Sequence, residues 1–280
     1  MKKLLEINNL KKYFPLRRGI FRRYAGDVKA VDDVSFFIAE GEVLGLVGES
    51  GSGKSTVGRT AIRLIEPTEG EIFFRGENLT TASQTNLREL RQKIQMVFQD
   101  PLASLNPRKT ILDNVGESLI FHKRVKNREQ QEEEVLKILQ KVGLPPSALN
   151  QYPHQFSGGQ QQRISIGRAL ILKPQLLICD EITSALDLSV QAQVLNLLYD
   201  LKKEFKLSYL LISHDLSVIR HLCDRVLVMH KGKIVESGKT EVLFQKPQHP
   251  YTQKLLNAIP ITHPSQRIPN ARPDPTPTLN

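Results

Sequence analysis

The sequence contains no tryptophan, only two cysteines and no long hydrophobic run. Its longest unbroken apolar stretch is four residues, as in Tyr209–Ile212, whereas a membrane-spanning helix needs about 20. The apolar part of the N-terminal Met1–Glu6 segment is too short for a secretory signal. Cys179 and Cys223 are too few for a disulfide framework and form no CxxC zinc motif. These absences predict a globular chain in a reducing compartment that does not cross a membrane by itself.

Acidic residues are also scarce relative to basic ones, with 29 Asp and Glu against 39 Lys and Arg, which gives a net charge of +10. The excess is local, because residues 1–29 contain nine Lys or Arg and two acidic residues. A basic balance is typical of proteins that bind nucleic acid, anionic lipid or phosphate ligands. No aromatic-rich basic platform or base-reading motif accompanies this segment. We therefore predict no nucleic-acid partner.

Strand-like and helix-like stretches alternate along the chain, which favours an α/β sheet with crossover helices. The residues from Val190 to Leu201 repeat with the period of an amphipathic helix. The region from Leu87 to Gln155 contains the polar, helix-prone stretch Arg128–Val142 and predicts a helical insertion. The last 34 residues hold eight of the 16 prolines and predict an extended, weakly ordered end. The clearest strand candidates are Val43–Val47, Ile72–Phe74, Leu176–Cys179, Tyr209–Ile212 and Arg225–Met229.

A glycine-rich loop fits the pattern G-x-x-x-x-G-K-[ST] at every fixed position. A predicted strand precedes it and a predicted helix, Thr56–Ile65, follows. Glycines let successive backbone N–H groups surround a polyphosphate, Lys54 supplies a cation to the β- and γ-phosphates, and the Ser55 hydroxyl is a Mg²⁺ ligand. The loop thus predicts nucleoside triphosphate binding. Its predicted binding residues are Gly48, Glu49, Ser50, Gly51, Ser52, Gly53, Lys54, Ser55 and Thr56.

An acidic pair, Asp180 and Glu181, follows the strand-like run Leu176–Cys179. Open α/β sheets bind ligands at the carboxyl ends of their strands. Asp180 is therefore predicted to be a Mg²⁺-associated carboxylate, and Glu181 the group that orients or deprotonates the attacking water.

A Ser-Gly-Gly sequence, Ser157–Gly159, opens a helix-like segment and would form a second anion site. The run Phe156–Arg163 resembles the signature motif of ATP-binding-cassette (ABC) ATPases. In that family the signature of one subunit closes over the phosphate loop of another, so that two ATP molecules are sandwiched between them. The resemblance implies ATP contacts for Ser157, Gly158, Gly159 and Gln160.

Four further segments resemble elements of the same family. Gln99, which follows the strand-like run Ile94–Phe98, is similar to the Q-loop glutamine that contacts Mg²⁺ and the attacking water. His214 is similar to the switch histidine at the γ-phosphate. Ser184–Asp187 resembles the D-loop, which couples the two sites. Tyr13 stands where the family has an aromatic residue that stacks on adenine, with the adjacent Phe14 as the alternative. The basic segment around Arg17–Arg23 follows it, and we interpret it as a surface hairpin near the nucleotide or near anionic lipid, or as plain solvated surface.

Within the family, the chain is most similar to the ATPases of oligopeptide and dipeptide importers, and to the second of their two ATPases. Three stretches carry the resemblance to these importers: Gln99–Arg108, Tyr152–Gly159 and His249–Thr252. Two others, Ala169–Leu172 and Ile178–Glu181, are more similar to the second ATPase. It implies a heterodimer with a related ATPase, two membrane permeases and a substrate-binding protein, at the cytoplasmic face of the cell membrane. Two features depart from the pattern, since Ile182 replaces a usual proline and no cysteine cluster follows Cys223.

The resemblance implies an ATP hydrolase coupled to transport, with a P-loop NTPase (ABC ATPase) core of α/β class into which a helical signature subdomain is inserted. Residues 1–88 would form the first part of the core with an N-terminal antiparallel β region, and 89–160 the helical subdomain. Residues 161–245 would complete the core, and 246–280 would be a proline-rich C-terminal extension. Alternatives are a nickel or other small-solute importer, a soluble ABC ATPase acting on ribosomes or DNA, and a small-molecule kinase, which would have no use for the signature.

Overall fold

The computed structural model describes residues 2–18, 23–184 and 186–258, and within these ranges the chain forms ten strands and ten α-helices. The strands are β1 (Lys3–Arg18), β2 (Arg23–Ala39), β3 (Val43–Val47), β4 (Glu69–Phe74), β5 (Glu77–Asn78), β6 (Ile94–Val97), β7 (Leu176–Asp180), β8 (Ser208–Ser213), β9 (Arg225–His230) and β10 (Lys233–Lys239). The helices are α1 (Lys54–Ala61), α2 (Gln84–Lys93), α3 (Pro101–Ser104), α4 (Ile111–Phe121), α5 (Arg128–Lys141), α6 (Gly158–Leu170), α7 (Leu188–Phe205), α8 (Leu216–Leu222), α9 (Thr240–Gln245) and α10 (Pro250–Asn257).

The central sheet has six strands in the order β10-β9-β3-β8-β7-β6. All neighbours pair in parallel except β10, which is antiparallel to β9. Every residue of β3, β7 and β8 is buried. Strands covered on both faces are continuous apolar runs, which is why these short segments could be recognised in the sequence. The five predicted strands are confirmed, each with the same bounds or extended by one to three residues.

A second sheet is antiparallel, in the order β2-β1-β4-β5, and packs against one face of the central sheet. Side chains from both sheets and from α1 share one hydrophobic core, for example Ile7, Phe74, Leu44, Leu210 and Val57. Helices α4 to α8 cover the opposite face and form a second core with it. The parallel strands are therefore held from both sides, and their carboxyl ends are fixed in place.

The helix predicted over Thr56–Ile65 is present as α1, but it starts two residues earlier, at Lys54, and ends four residues earlier, at Ala61. Arg63 adopts a positive φ of 51° and its guanidinium donates to the carbonyl oxygens of Leu79 and Ala82. These contacts turn the chain out of the helix. The polar stretch predicted as helical is confirmed as α5.

Residues 94–97, inside the range 89–160, form β6 and pair with β7 in the central sheet. The strand-like run Ile94–Phe98 is thus confirmed as a strand, one residue shorter than predicted. The C-terminal extension begins with the helix α10 before the described residues end at 258, and the remaining tail lies outside them. None of the described helices is long and apolar enough to cross a membrane.

Candidate nucleotide-binding site

Three adjacent strands, β3, β8 and β7, end at the same edge of the central sheet and deliver the predicted site residues there. The phosphate loop, Gly48–Ser55, follows β3, and Asp180 is the last residue of β7. His214 follows β8 directly. Because parallel strands point the same way, residues distant in sequence meet at this edge. The loop leads into α1, which places the helix N-terminus beneath it.

Lys54 is buried, with 3% of its surface exposed, and its ammonium lies inside the loop. Its Nζ donates to the carbonyl oxygens of Gly48 at 2.9 Å and of Glu49 at 3.0 Å. Burial lowers the pKa of Lys54, while the nearby carboxylate of Glu181, 3.7 Å away, opposes that shift. A cation held beneath backbone N–H groups is suited to a polyphosphate.

Gly48 and Gly53 are two positions at which the loop allows no side chain, since a Cβ at Gly48 would lie 2.1 Å from the carbonyl oxygen of Met229. Gly53 is the clearer case of the two. Its φ is 106°, and a Cβ there would lie 2.0 Å from the carbonyl oxygen of Ala30. Gly51 also has a positive φ, 77°, but a Cβ there would meet nothing within 4 Å. Alanine substitutions at Gly53 and Gly51 therefore distinguish the cost of backbone strain from that of a steric clash.

We expect Gly53→Ala to lower the free energy of unfolding by more than about 2 kcal/mol, since strain and a backbone clash add. Gly51→Ala, which introduces strain alone, should cost about 1–2 kcal/mol. Urea denaturation of both variants measures the difference. Equal losses would show that the contact with Ala30 is relieved at no cost.

Asp180 and Ser55 form the oxygen-rich part of the site. The Ser55 hydroxyl donates to Asp180 Oδ1 at 2.7 Å, and Arg59 Nη2 lies 3.7 Å from Oδ2. Oδ2 is buried and has no hydrogen-bond partner among the described residues. Burial raises the pKa of Asp180, against the hydrogen bond from Ser55 and the charge of Arg59. An unpartnered buried carboxylate oxygen is suited to a cation.

The other two predicted catalytic residues, Gln99 and His214, both contact the carboxylate of Glu181. Its Oε2 accepts from Gln99 Nε2 at 3.2 Å and lies 3.3 Å from His214 Nδ1. Its φ of 49° is unusual for a residue with a side chain. Two hydrogen bonds hold the backbone in this conformation. Glu181 N–H donates to the Ile212 carbonyl oxygen at 3.0 Å, and the Ser184 hydroxyl donates to the Glu181 carbonyl oxygen at 2.9 Å. Such strain is concentrated at functional sites.

Tyr13 is linked to the phosphate loop through a chain of hydrogen bonds. Its hydroxyl donates to Asp32 Oδ1 at 2.5 Å, and Asp32 N–H donates to the Gly232 carbonyl oxygen at 2.8 Å. Gly232 N–H in turn donates to the carbonyl oxygen of Ser52 at 3.0 Å. Phe14, the alternative, is the next residue of β1 and so points to the other face of the strand. The hydrogen bonds to the phosphate loop thus start at Tyr13, and the stacking of either aromatic on adenine stays a prediction.

The basic segment that follows Tyr13 is part of the hairpin formed by β1 and β2. Arg17 is exposed on it, and the Lys29 ammonium lies 5.2 Å from the centre of the Tyr13 ring. Residues 19–22, between the two strands in sequence, lie outside the described residues. Its part in nucleotide or lipid binding stays a prediction.

The signature residues lie elsewhere. Ser157 caps α6 by accepting from Gln160 N–H, and the Gln160 side chain accepts from Ser157 N–H. Gly159 packs so closely on α7 that a Cβ would lie 2.3 Å from Val190 Cγ1. Among the described residues, no hydrogen bond or ion pair joins the signature to the phosphate loop or to Glu181. The two predicted anion sites are therefore separate features of one chain.

The D-loop candidate connects the two features. The Ser184 hydroxyl donates a hydrogen bond to the Glu181 carbonyl oxygen, and Asp187 caps α7 by accepting from Val190 N–H at 3.1 Å. The departure from the family pattern, Ile182, is buried with 3% exposed and packs in the core beside β7. Ala185 lies outside the described residues.

Two contacts of the site were not predicted from the sequence. The first is the Arg59 guanidinium beside Asp180. Arg59 lies four residues after Ser55 on the same helix, so the sequence spacing could have indicated that both side chains face the same site. Tyr251 accepts a hydrogen bond from Glu49 N–H at 3.0 Å across 202 residues of sequence. No local pattern could indicate that pairing.

Comparison with protein families gives two matches. Residues 31–184 match the family described as "ABC transporter". Residues 235–279 match the family described as "Oligopeptide/dipeptide transporter, C-terminal region". The first match contains the phosphate loop, the acidic pair and the signature.

Among curated proteins, the chain is 57% identical over 261 residues to the oligopeptide transport ATP-binding protein AppF of Bacillus subtilis (strain 168), covering 92% of this chain and 79% of that protein. It is 52% identical over 263 residues to OppF of the same organism, covering 94% and 84%. The glutathione import ATP-binding protein GsiA of Escherichia coli (strain K12) is 49% identical, covering 95% of this chain and 42% of that protein.

Two solved structures have the same fold. A dimeric post-hydrolysis state of the ATP-binding cassette MJ0796 bound to ADP and Pi aligns with a TM-score of 0.75 and 32% identity, covering 84% of this chain and 98% of that one. CbiO1 from Clostridium perfringens, part of the ABC transporter complex CbiONQ, aligns with a TM-score of 0.75 and 25% identity, covering 88% and 92%. The predicted fold class is confirmed.

Proposed function

Because the chain belongs to the ABC transporter family of ATP-binding proteins, we propose that it binds and hydrolyses ATP to energise the import of oligopeptides or dipeptides. Its similarity to AppF and OppF, whose names describe oligopeptide transport, supports this cargo class. The observation that carries the reaction is the position of the Glu181 carboxylate, within 3.3 Å of both Gln99 and His214 beside the phosphate loop.

In this proposal the loop Gly48–Thr56 binds the phosphates of ATP and Tyr13 stacks on the adenine. Lys54 leaves the carbonyl oxygens that it contacts here and pairs with the β- and γ-phosphates. Glu181 Oε2 accepts a proton from the attacking water, or orients it. Gln99 and His214 hold that carboxylate from two sides and face the γ-phosphate.

Mg²⁺ belongs to the same proposal, and the residues present fit it. Oxygen ligands are what Mg²⁺ prefers, and it is usually bound by one or two carboxylates together with substrate phosphates. Ser55 Oγ and the buried Asp180 Oδ2, which has no hydrogen-bond partner among the described residues, supply such oxygens. The family resemblance adds the Gln99 side chain to this set. Bound Mg²⁺ would neutralise charge on the transferred phosphoryl group.

The separate signature implies that the site is completed by a second subunit. Ser157, Gly158, Gly159 and Gln160 would close over the ATP held by a homologous ATPase, whose own signature would close over the ATP bound here. The dimeric state of the MJ0796 cassette named in its structure is consistent with such pairing. ATP performs work in this arrangement because it binds the closed dimer more tightly than the open one.

Closure must reach partners in the membrane, and we propose the Gln99–Arg108 segment, which is largely exposed apart from the buried Leu105, as the contact. Asp100 caps the short helix α3 by accepting from Ala103 N–H at 3.0 Å, and Leu102 is 46% exposed on it. Gln99 thus joins the catalytic carboxylate to a surface element. The partners would be two permeases at the cytoplasmic face of the cell membrane, with a substrate-binding protein outside.

Purification of the tagged chain from detergent-solubilised membranes tests this assembly. We expect the second ATPase and two permeases to copurify, and hydrolysis by the complex to rise when the peptide-loaded binding protein is added. A variant with Leu102→Asp should lose the permeases but still bind ATP. Recovery of ribosomes without a permease would contradict the importer proposal.

A further inference from the structure

The C-terminal segment from β10 to α10 makes contacts that the proposed reaction does not use. From residue 235 onward it lies within the match to the importer C-terminal region, residues 235–279. Three of its side chains, Glu236, His249 and Tyr251, form a continuous series of contacts that ends at the phosphate loop.

Glu236, on β10, anchors the start of α10. Its two carboxylate oxygens accept from the backbone N–H groups of Gln248 at 2.8 Å and His249 at 3.0 Å. Burial opposes ionisation of Glu236, but these N–H groups outweigh it and hold its pKa below the ordinary value. The carboxylate therefore stays ionised at neutral pH and ties the segment to the central sheet.

His249 and His230 fix the ring of Tyr251. His249 Nδ1 accepts from Tyr251 N–H at 3.1 Å, which caps α10, and Pro250 occupies its first turn. The ring of Tyr251 packs on that of His230, at the end of β9, with 3.9 Å between the centres. Only 8% of Tyr251 is exposed. Its hydroxyl has one direction to point, toward the phosphate loop.

The hydroxyl of Tyr251 accepts from Glu49 N–H at 3.0 Å. This N–H and the Gly48 carbonyl belong to one peptide unit, and the carbonyl oxygen accepts from Lys54 Nζ at 2.9 Å. The peptide is therefore held at both ends, by a hydroxyl and by an ammonium. Burial raises the pKa of Tyr251, so the hydroxyl remains neutral.

We propose that Tyr251 is a positioning residue that holds the Gly48–Glu49 peptide in its ATP-binding orientation. This rests on the proposed role of the loop. When Lys54 moves to the phosphates, the carbonyl end of the peptide loses its ammonium partner. The bond from Glu49 N–H to Tyr251 persists and keeps the peptide from rotating. The C-terminal segment thus acts as a strut between the sheet and the phosphate loop.

The test is Tyr251→Phe in the full chain, which keeps the ring on His230 and removes only the hydroxyl. One net hydrogen bond corresponds to about a 2- to 12-fold change in an equilibrium constant. We expect the Kd for Mg·ATP, measured by calorimetry, to rise by about that factor. Hydrogen exchange at the Glu49 amide of the nucleotide-free protein should accelerate by a similar factor. The rate at saturating ATP should change less than about twofold, since Tyr251 does not face the γ-phosphate.

Tyr199→Phe is the matched control, since Tyr199 lies on α7, is 49% exposed, and its hydroxyl makes no hydrogen bond among the described residues. It should bind ATP as the wild type does. The positioning role of Tyr251 would be contradicted if Tyr251→Phe left both the Kd for Mg·ATP and hydrogen exchange at the Glu49 amide unchanged. It would also be contradicted if the variant lowered the melting temperature without changing exchange at the Glu49 amide. Failure of the wild type to bind ATP would instead overturn the proposed function.

Discussion

Replacing Glu181 with Gln should abolish hydrolysis while leaving ATP binding intact. The amide can still accept hydrogen bonds from Gln99 and His214, whose nitrogens lie 3.2 Å and 3.3 Å from Oε2. It cannot take a proton from water. A positioned general base contributes about 10²- to 10⁴-fold to a rate, so single-turnover hydrolysis should fall by at least about 100-fold. Since ATP would then persist in the closed dimer, that dimer should accumulate.

Two measurements check this expectation, single-turnover hydrolysis and size-exclusion chromatography with ATP or ADP, each on the chain alone and with its homologous partner. The dimer should be retained with ATP and not with ADP. Glu204→Gln, at an exposed carboxylate paired with Lys141 on the helical side, is the control and should behave as wild type. A Glu181→Gln variant that turned over ATP at the wild-type rate would remove Glu181 from the role of base.

The residues that the sequence made predictable are those attached to the ends of buried parallel strands. The apolar runs that end at Val47, Cys179 and Ile212 had to be strands of one sheet, and their last residues had to meet at one edge. The convergence of Gln99 and His214 on Glu181 follows the order implied by the family resemblance. Its geometry, including the positive φ of Glu181, depends on backbone contacts that no local pattern reveals.

What could not be predicted depends on contacts between distant segments. The end of α1 at Ala61 is set by Arg63, whose partners Leu79 and Ala82 come from a separate loop. The contact of Tyr251 with Glu49 depends on the path of α9 and α10, and composition indicated only a proline-rich extension there. Charge was a poor guide to function, because its excess lies in the β1–β2 hairpin and not at the phosphate loop.

Replacing Ser157 with Arg should stop hydrolysis at the site that this signature completes, without weakening ATP binding by the isolated chain. Ser157 is exposed and caps α6, and it shares no hydrogen bond with the phosphate loop of its own chain among the described residues. If it closes over the ATP of a partner, the long arginine side chain would occupy the position of the phosphates. The loss of donors that stabilise a developing anion typically costs about 10²- to 10³-fold.

Ser83→Arg separates this effect from simple loss of a helix cap. Ser83 is also exposed and caps α2 by accepting from Asn86 N–H at 3.3 Å. Both substitutions should therefore lower the free energy of unfolding by about 1 kcal/mol. Hydrolysis is measured in a dimer in which this chain also carries Glu181→Gln, so that only the partner's catalytic site is active. In that dimer only Ser157→Arg should reduce hydrolysis, by about 100-fold or more. Nucleotide binding by the isolated variant, measured by calorimetry, should match the wild type. A nucleotide sandwiched between two subunits requires the effect of Ser157→Arg to appear only in the dimer. If Ser157→Arg weakened ATP binding by the isolated chain, the signature would instead act on the ATP of its own chain.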